Sequence, residues 1–412
     1  MTRERILAMV LAGGKGERLY PLTRERSKPA VPFGARYRIV DFVLSNFVNS
    51  GILGLYVLVQ YKSQSLIEHL RTGWRTGGIL SSHFITAVPP QMRRGEAWYQ
   101  GTADAVLQNL DLIDDFDPSL VAVFGADHIY RMDVNQMIAF HRDRAADLTV
   151  AARPVPLAEA SQFGVIEVDA EGRILGFQEK PEAPTPIPGD PTRAYASLGN
   201  YVFTRRALVD ILLAAEQRQA ADDFGRSILP RLLATHRVFA YDFQRNVVPG
   251  IKPYEELGYW RDVGTIEAYW RAHLDLLGEQ PVFDLDNREW PVLTDAYQGP
   301  SARIIAGEID DAHVGAGSLL KRASVRHSIL GRNVTVHEGA VIEDSVVMDH
   351  TSVGKGARLR RVIVDRFNVI GSDQEIGLDP EEDRRRYHID RSGIVVIPRG
   401  GRREYLWHAR SL

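Results

Sequence analysis

Through the first two thirds of the chain, apolar residues gather in short β-rich runs separated by longer stretches of helical spacing. The runs at residues 6–11, 55–59, 120–124, 148–152 and 201–203 predict buried strands. Residues 38–48, 103–113, 134–144 and 266–277 predict helices. Such alternation predicts an α/β fold with a mostly parallel sheet covered on both faces. Residues 165–177, turning at Asp169-Ala170-Glu171-Gly172, predict a hairpin, and the proline-rich residues 182–191 a loop.

Residues 278–300, with Pro281, Pro291 and Pro300, predict a linker. Beyond it the period changes. Leu330, Val336, Ile342, Val347, Val353, Leu359, Val364 and Ile370 follow one another at steps of six or five, with glycines between them. Hexapeptide spacing of this kind predicts a parallel β-helix, a series of irregular antiparallel strands being the alternative. The charged stretch that starts at Glu381 runs into apolar residues 394–397, which predict a closing strand. The expected organisation is a first domain over 1–277, the linker, and a β-helix over 301–412. Solenoid ends need covering, so an oligomer is expected.

Composition narrows the function classes. A chain of 412 residues, 44% hydrophobic, has room for two domains. Lys and Arg number 50 against 53 Asp and Glu, for a formal charge of −3, which gives no electrostatic case for nucleic acid or an anionic membrane. The absence of cysteine excludes disulfides, thiolate metal sites and a cysteine nucleophile. Met1-Thr2-Arg3-Glu4-Arg5 lacks a signal-peptide core, and no apolar run approaches the ~20 residues of a membrane helix. A cytoplasmic protein is the expectation.

The chemistry begins where the first predicted strand ends. Gly13, Gly14 and Gly16 fall within four residues, edged by Lys15, Arg18 and Lys28. Inward-turned amides with cations around them suit a polyphosphate. Gly14-Lys15 is followed by Gly16, not by Ser or Thr, which excludes the Walker loop, and Leu19 stands where a dinucleotide fold wants a small residue. The bland alternative is an ordinary glycine-rich turn. Asp127 follows a predicted strand at the sheet edge where ligands bind, and Asp262 precedes a predicted helix. Facing a basic loop, the two suggest a magnesium ion held between carboxylates and phosphates, or else two helix caps. His128 reads as a neighbour that supports such a metal site, with a catalytic role as the alternative. Gly101-Thr102-Ala103-Asp104 opens a helix suited to phosphate or base edges. In Phe177-Gln178-Glu179-Lys180-Pro181, the Glu179–Lys180 pair either holds a sugar phosphate or is a solvated charge pair. Arg93-Arg94, the arginines at 384–386 and Arg402-Arg403 read as exposed faces, with an anion-effector pocket as the alternative.

Together these segments resemble the glucose-1-phosphate adenylyltransferase (ADP-glucose pyrophosphorylase) family over nearly the whole chain. The motifs that carry the resemblance are residues 11–19, 28–33 and 37–51, Trp98-Tyr99-Gln100-Gly101-Thr102-Ala103-Asp104, residues 125–130, Phe163-Gly164-Val165, Glu179-Lys180-Pro181, and residues 197–203 and 259–270. The resemblance implies a Rossmann-like nucleotidyltransferase domain followed by a left-handed β-helix, assembled as a homotetramer. The implied reaction is adenylyl transfer from ATP to α-D-glucose 1-phosphate, with Mg2+. By resemblance Gly13, Gly14, Gly16, Gln91, Gly101 and Thr102 lie on the ATP side. Tyr99, Gly164, Glu179, Lys180, Ser197, Tyr201, Asp223 and Trp260 surround the sugar phosphate. Lys15, Arg18, Lys28, Asp127 and Asp262 are the catalytic set, with both aspartates on the metal. Small anionic allosteric effectors are implied too, with Arg26, Arg38 and Arg386 as their contacts. Glu25, Pro32 and Asp115 depart from the basic and histidine residues that relatives carry at those places, so the effector's identity is not inherited. A nucleotidyltransferase using UTP, dTTP or GTP, a non-catalytic regulatory subunit, and an acyltransferase housed in the β-helix are the rival readings.

Overall fold

A computed structural model describes residues 5–75, 82–92, 98–218, 222–403 and 405–406. Arg93-Arg94 lie outside the described residues. The run of apolar residues at Ile6–Ala12 is a central strand, paired in parallel with Gly54–Val59 on one side and Leu120–Gly125 on the other. Phe84–Val88 extends this parallel half. All four strands therefore deliver their carboxyl ends to one edge. Ala8, Val10, Val57, Ala122 and Phe124 bury into one layer of core, and Leu7, Met9, Leu58, Val121 and Val123 into the other, so the sheet is covered on both faces.

The strand containing residues 201–203 is longer than its apolar run. It spans Arg193–Thr204 and runs antiparallel to Leu120–Gly125, Leu148–Pro156 and Gly164–Val168. Its first half alternates buried and half-exposed positions, the period-2 pattern of a half-buried strand. The register slips between Ser197 and Tyr201, at a bulge containing Gly199 with φ 69°. The predicted hairpin is present as Gly164–Val168 and Ile174–Glu179. The helix expected over 103–113 is two helices, Thr102–Leu107 and Leu110–Phe116. Between them Asn109 Nδ2 donates to the Ala105 carbonyl (2.8 Å) and to the Tyr99 hydroxyl (2.9 Å), which competes with continued helix. The helix expected over 266–277 closes earlier, as Ile266–Leu274. Gln64–Gly73 and Arg205–Gln217 are helices that the apolar spacing did not reveal.

The second part of the chain is a parallel β-helix. Leu330 pairs with Val347 and Val347 with Val364, while Val336 pairs with Val353 and Val353 with Ile370. From Ser324 onward successive coils lie 17 residues apart, as in the Ser328, Ser345 and Val362 ladder, which equals two steps of six and one of five. The apolar residues at those steps fill its interior. Val395–Ile397 closes it, parallel to Val362–Val364.

Residues 278–300 contain neither helix nor strand but are tied down. Phe283 and Trp290 are buried, Leu293 N donates to Ser45 Oγ (2.8 Å), and Thr294 Oγ1 donates to the buried Asp41 (2.6 Å). The two parts share a continuous core. Tyr269 and Ile266, from the helix after Asp262, pack with Phe33, Phe42, Ile329, Val346 and Val396. Trp270 Nε1 donates to the Asp344 carbonyl of the β-helix (2.8 Å). No helix among the described residues is long and apolar enough to cross a membrane.

Candidate active site

The carboxyl edge of the parallel strands opens into a cavity of about 820 Å³. Its wall carries Gly13, Gly14, Lys15, Gly16, Arg18 and Lys28 from the first loop, Gln60 from the second strand's end, and Asp127 from the third. Tyr99, Gly101, Thr102, Tyr201 and Asp223 close it from the other side.

Gly16 shows why this loop needs glycine. It sits at φ 64°, and a Cβ there would come within 2.9 Å of Lys28 Cβ and 3.2 Å of Thr23 Cγ2. Its carbonyl accepts from Thr23 Oγ1 (3.0 Å), which fixes the turn. Lys15 and Arg18 are about two-thirds exposed, whereas the Lys28 side chain is 6% exposed.

Asp127 follows Leu120–Gly125 directly. Asp262 arrives by tertiary pairing: Trp260–Asp262 forms a two-stranded antiparallel ribbon with His128–Tyr130, and its register sets Asp262 opposite His128. Lys28 Nζ lies between the carboxylates, 3.1 Å from Asp127 Oδ2 and 2.8 Å from Asp262 Oδ1. Arg18 Nη2 approaches Asp262 Oδ2 at 3.4 Å. Burial pushes both carboxyls up, but for Asp127 the neighbouring His128 and Lys28, and for Asp262 Lys28 and then His128, outweigh it. Both stay ionised well below neutral pH. Burial likewise opposes the charge on Lys28, and the two aspartates overcome it, so its pKa is raised.

Asp127, His128 and Asp262 each offer one ligand atom within 4.8 Å of the others. Two ionised carboxylates are the hard oxygen donors that magnesium prefers. The residues thus fit a divalent cation. His128 Nδ1 is buried without a hydrogen-bond partner, 3.5 Å from Asp127 Oδ1, and its ring lies 4.5 Å from that of Trp260. Spacing in the sequence gives no sign that His128 and Asp262 would meet.

At the opposite wall Gly101 touches the backbone of Asp222 so closely that a Cβ would fall 2.0 Å from its carbonyl oxygen. Thr102 Oγ1 donates to Asp223 Oδ2 (3.0 Å) and accepts from Phe224 N (3.0 Å). This joins the predicted nucleotide-side residues to the predicted sugar-side ones. Gly164 and Glu179 face each other in the hairpin register. Glu179 accepts from Arg226 Nη2 (3.1 Å), next to the segment that Asp223 caps. Lys180 leaves the hairpin at φ 48°, its backbone N–H held by the Phe163 carbonyl (3.0 Å). Tyr201 is buried, which raises its pKa and keeps the hydroxyl protonated, with Ser197 bonded to it. Trp260 is buried too, with Nε1 unpartnered. Gly164, Glu179, Lys180, Ser197 and Trp260 are not in the cavity wall.

Gln91 is exposed, its amide donating to the Pro89 carbonyl (2.8 Å), and it is not in the cavity wall. Gln60 and Gly199 are wall residues absent from the sequence reading. Gln60 ends a parallel strand, the signal that would have found it. Arg26 and Arg38 lie at the junction with the β-helix. Arg26 pairs with Asp365, both side chains at most 3% exposed, and Arg38 donates to the Ser65 carbonyl (2.8 Å). Burial, then Arg366 and Arg26, lower the Arg38 pKa to about 10. Arg386 ends the helix Pro380–Arg386, 3.8 Å from Glu382.

Comparison with known proteins gives the chain's relatives. Residues 7–279 match the family described as Nucleotidyl transferase, and residues 300–397 that described as GlmU-like, C-terminal hexapeptide. The chain is 53% identical over 399 residues to a protein of Thermodesulfovibrio yellowstonii named glucose-1-phosphate adenylyltransferase, with 97% of each chain covered. Proteins of the same name from Anaeromyxobacter sp. (strain Fw109-5) and Photobacterium profundum are 50% and 47% identical, with 97% of this chain and 99% of theirs covered.

Proposed function

Since this chain belongs to the glucose-1-phosphate adenylyltransferases, within the nucleotidyl transferases, we propose that it transfers the adenylyl group of ATP to α-D-glucose 1-phosphate. The products are ADP-glucose, a donor for glycogen or another α-glucan, and pyrophosphate. The observation that carries this reading is the convergence of Lys28, Asp127 and Asp262 beside the glycine loop.

The nucleophile is a phosphate oxygen of the sugar, already ionised at neutral pH, so no protein base is required. Catalysis is then positioning plus charge neutralisation. The amides of Gly13, Gly14 and Gly16 hold the ATP phosphates, and Lys15, Arg18 and Lys28 offset charge on the α-phosphorus and the departing pyrophosphate. Asp127 and Asp262 would hold Mg2+, which would supply positive charge to stabilise the transferring phosphoryl group. Gln91, Gly101 and Thr102 serve the nucleotide. Tyr99, Gly164, Glu179, Lys180, Ser197, Tyr201, Asp223 and Trp260 orient the sugar phosphate.

In this reading residues 1–277 carry the catalysis and the β-helix from residue 301 serves assembly and regulation. The exposed edge strand Arg303–Val314 of the β-helix, with Ile304 half exposed, supports assembly as a homotetramer. The guanidinium groups of Arg26, Arg38 and Arg366 at the junction support control by small anions, with Arg386 as a further contact to test. ATP and sugar phosphates are cytoplasmic metabolites, and the cytoplasm is the compartment proposed. The deciding experiment crosses ATP, UTP, dTTP and GTP with glucose 1-phosphate and Mg2+ on purified protein. ATP should be used best, and a clear preference for UTP overturns the reading.

A further inference from the structure

We propose that Lys28 has a second role: in the free enzyme its ammonium holds the place between Asp127 and Asp262 that a divalent cation takes in the loaded one, so the two exclude each other. The proposal rests on the metal site of the preceding reading and adds how that site is kept closed.

The geometry argues for exclusion. Lys28 Nζ is within hydrogen-bond distance of one oxygen of each carboxylate, at 3.1 and 2.8 Å. The ligand atoms of Asp127, His128 and Asp262 span no more than 4.8 Å, so a cation among them would stand against the ammonium. Two like charges at that separation repel strongly where water is scarce. Both oxygens of Asp262 already face a cation, Oδ1 the Lys28 ammonium at 2.8 Å and Oδ2 the Arg18 guanidinium at 3.4 Å. The base of the Lys28 side chain packs on Gly16, where a Cβ on the glycine would fall 2.9 Å from Lys28 Cβ, so it is the distal chain that can swing away. The neighbouring glycine loop is where it can go. A triphosphate seated on Gly13, Gly14 and Gly16 gives Lys28 and Arg18 new anionic partners and frees both aspartates. Nucleotide and cation then bind as a linked pair, and by linkage each tightens the other equally.

The test uses Mn2+ alone, with free Mn2+ followed by electron paramagnetic resonance on the full chain without nucleotide. Lys28→Met should bind Mn2+ about tenfold or more tightly than the wild type, because the competent fraction of the wild type is small. Lys15→Met removes the same charge from the exposed loop without opening the place, and its Mn2+ affinity should stay within about twofold of wild type. Equal affinity of Lys28→Met and wild type, or an equal gain in Lys15→Met, overturns the exchange. Asp127→Asn should lose Mn2+ binding in both the wild-type and Lys28→Met backgrounds. Unchanged binding there overturns the metal site itself, which separates the two failures. If Lys28→Met does not fold, amine labelling of wild-type Lys28 read by mass spectrometry replaces it. Mn2+ should speed that labelling, and an unchanged rate overturns the exchange.

Discussion

Asp262 stands directly across from His128 in a short antiparallel ribbon, and this pairing brings the second carboxylate to the first. Within the ribbon the Trp260 ring lies against His128, and the helix Ile266–Leu274 that follows packs on the β-helix. The position of the second carboxylate is thus tied to the junction between the two parts of the chain.

Asp127→Asn keeps the shape of the side chain and removes its charge. In steady-state assays with ATP and glucose 1-phosphate, kcat should fall by about 100-fold or more. The thermal midpoint should move little, because the side chain is 41% exposed and Lys28 keeps Asp262. Turnover near wild type would contradict the assigned role.

Lys180 leaves the hairpin on the side proposed for the sugar phosphate, with Glu179 held by Arg226. Lys180→Ala should raise the KM for glucose 1-phosphate by roughly tenfold and leave that for ATP nearly unchanged, as expected for a lost charge contact to one substrate. Equal rises for both substrates would place Lys180 elsewhere.

Arg26 and Asp365 form a buried ion pair between the first part of the chain and the β-helix. Asp365→Ala leaves a guanidinium without its partner and should cost about 3–5 kcal/mol of stability, read as a lowered denaturant midpoint. The double variant Arg26→Met with Asp365→Leu should recover most of that loss. Any change in regulation seen on mutating Arg26 must therefore be measured against this destabilised background.

Burial pushes His141 and His273 down to about 4, and both side chains are buried. His273 Nδ1 donates to the Tyr269 carbonyl (2.9 Å), and Nε2 accepts from Gly34 N–H (3.2 Å), a pattern only the neutral ring can make. The unfolded chain binds a proton near pH 6.5 and the folded chain does not until about 4, so stability is lost as pH falls through that window. Each histidine should contribute roughly 3 kcal/mol to that loss. Denaturant midpoints at pH 7 and pH 5 check it, and His141→Gln should flatten the slope. A slope unchanged in that variant would exclude the histidine as its source.

The local code was legible wherever neighbours in sequence are neighbours in space. Apolar runs gave the parallel strands, the glycines and cations of residues 13–18 gave the loop that lines the cavity, and steps of six and five gave the β-helix coil, because each depends on interactions within a few residues. Tertiary structure decided the rest. It ran Arg193–Thr204 antiparallel, buried Arg26 against Asp365, and seated Lys28 between Asp127 and Asp262. Those outcomes are set by registers and ion pairs between residues distant in the chain, whose energies exist only once the backbone has closed around them. No pattern along a single strand or helix encodes them.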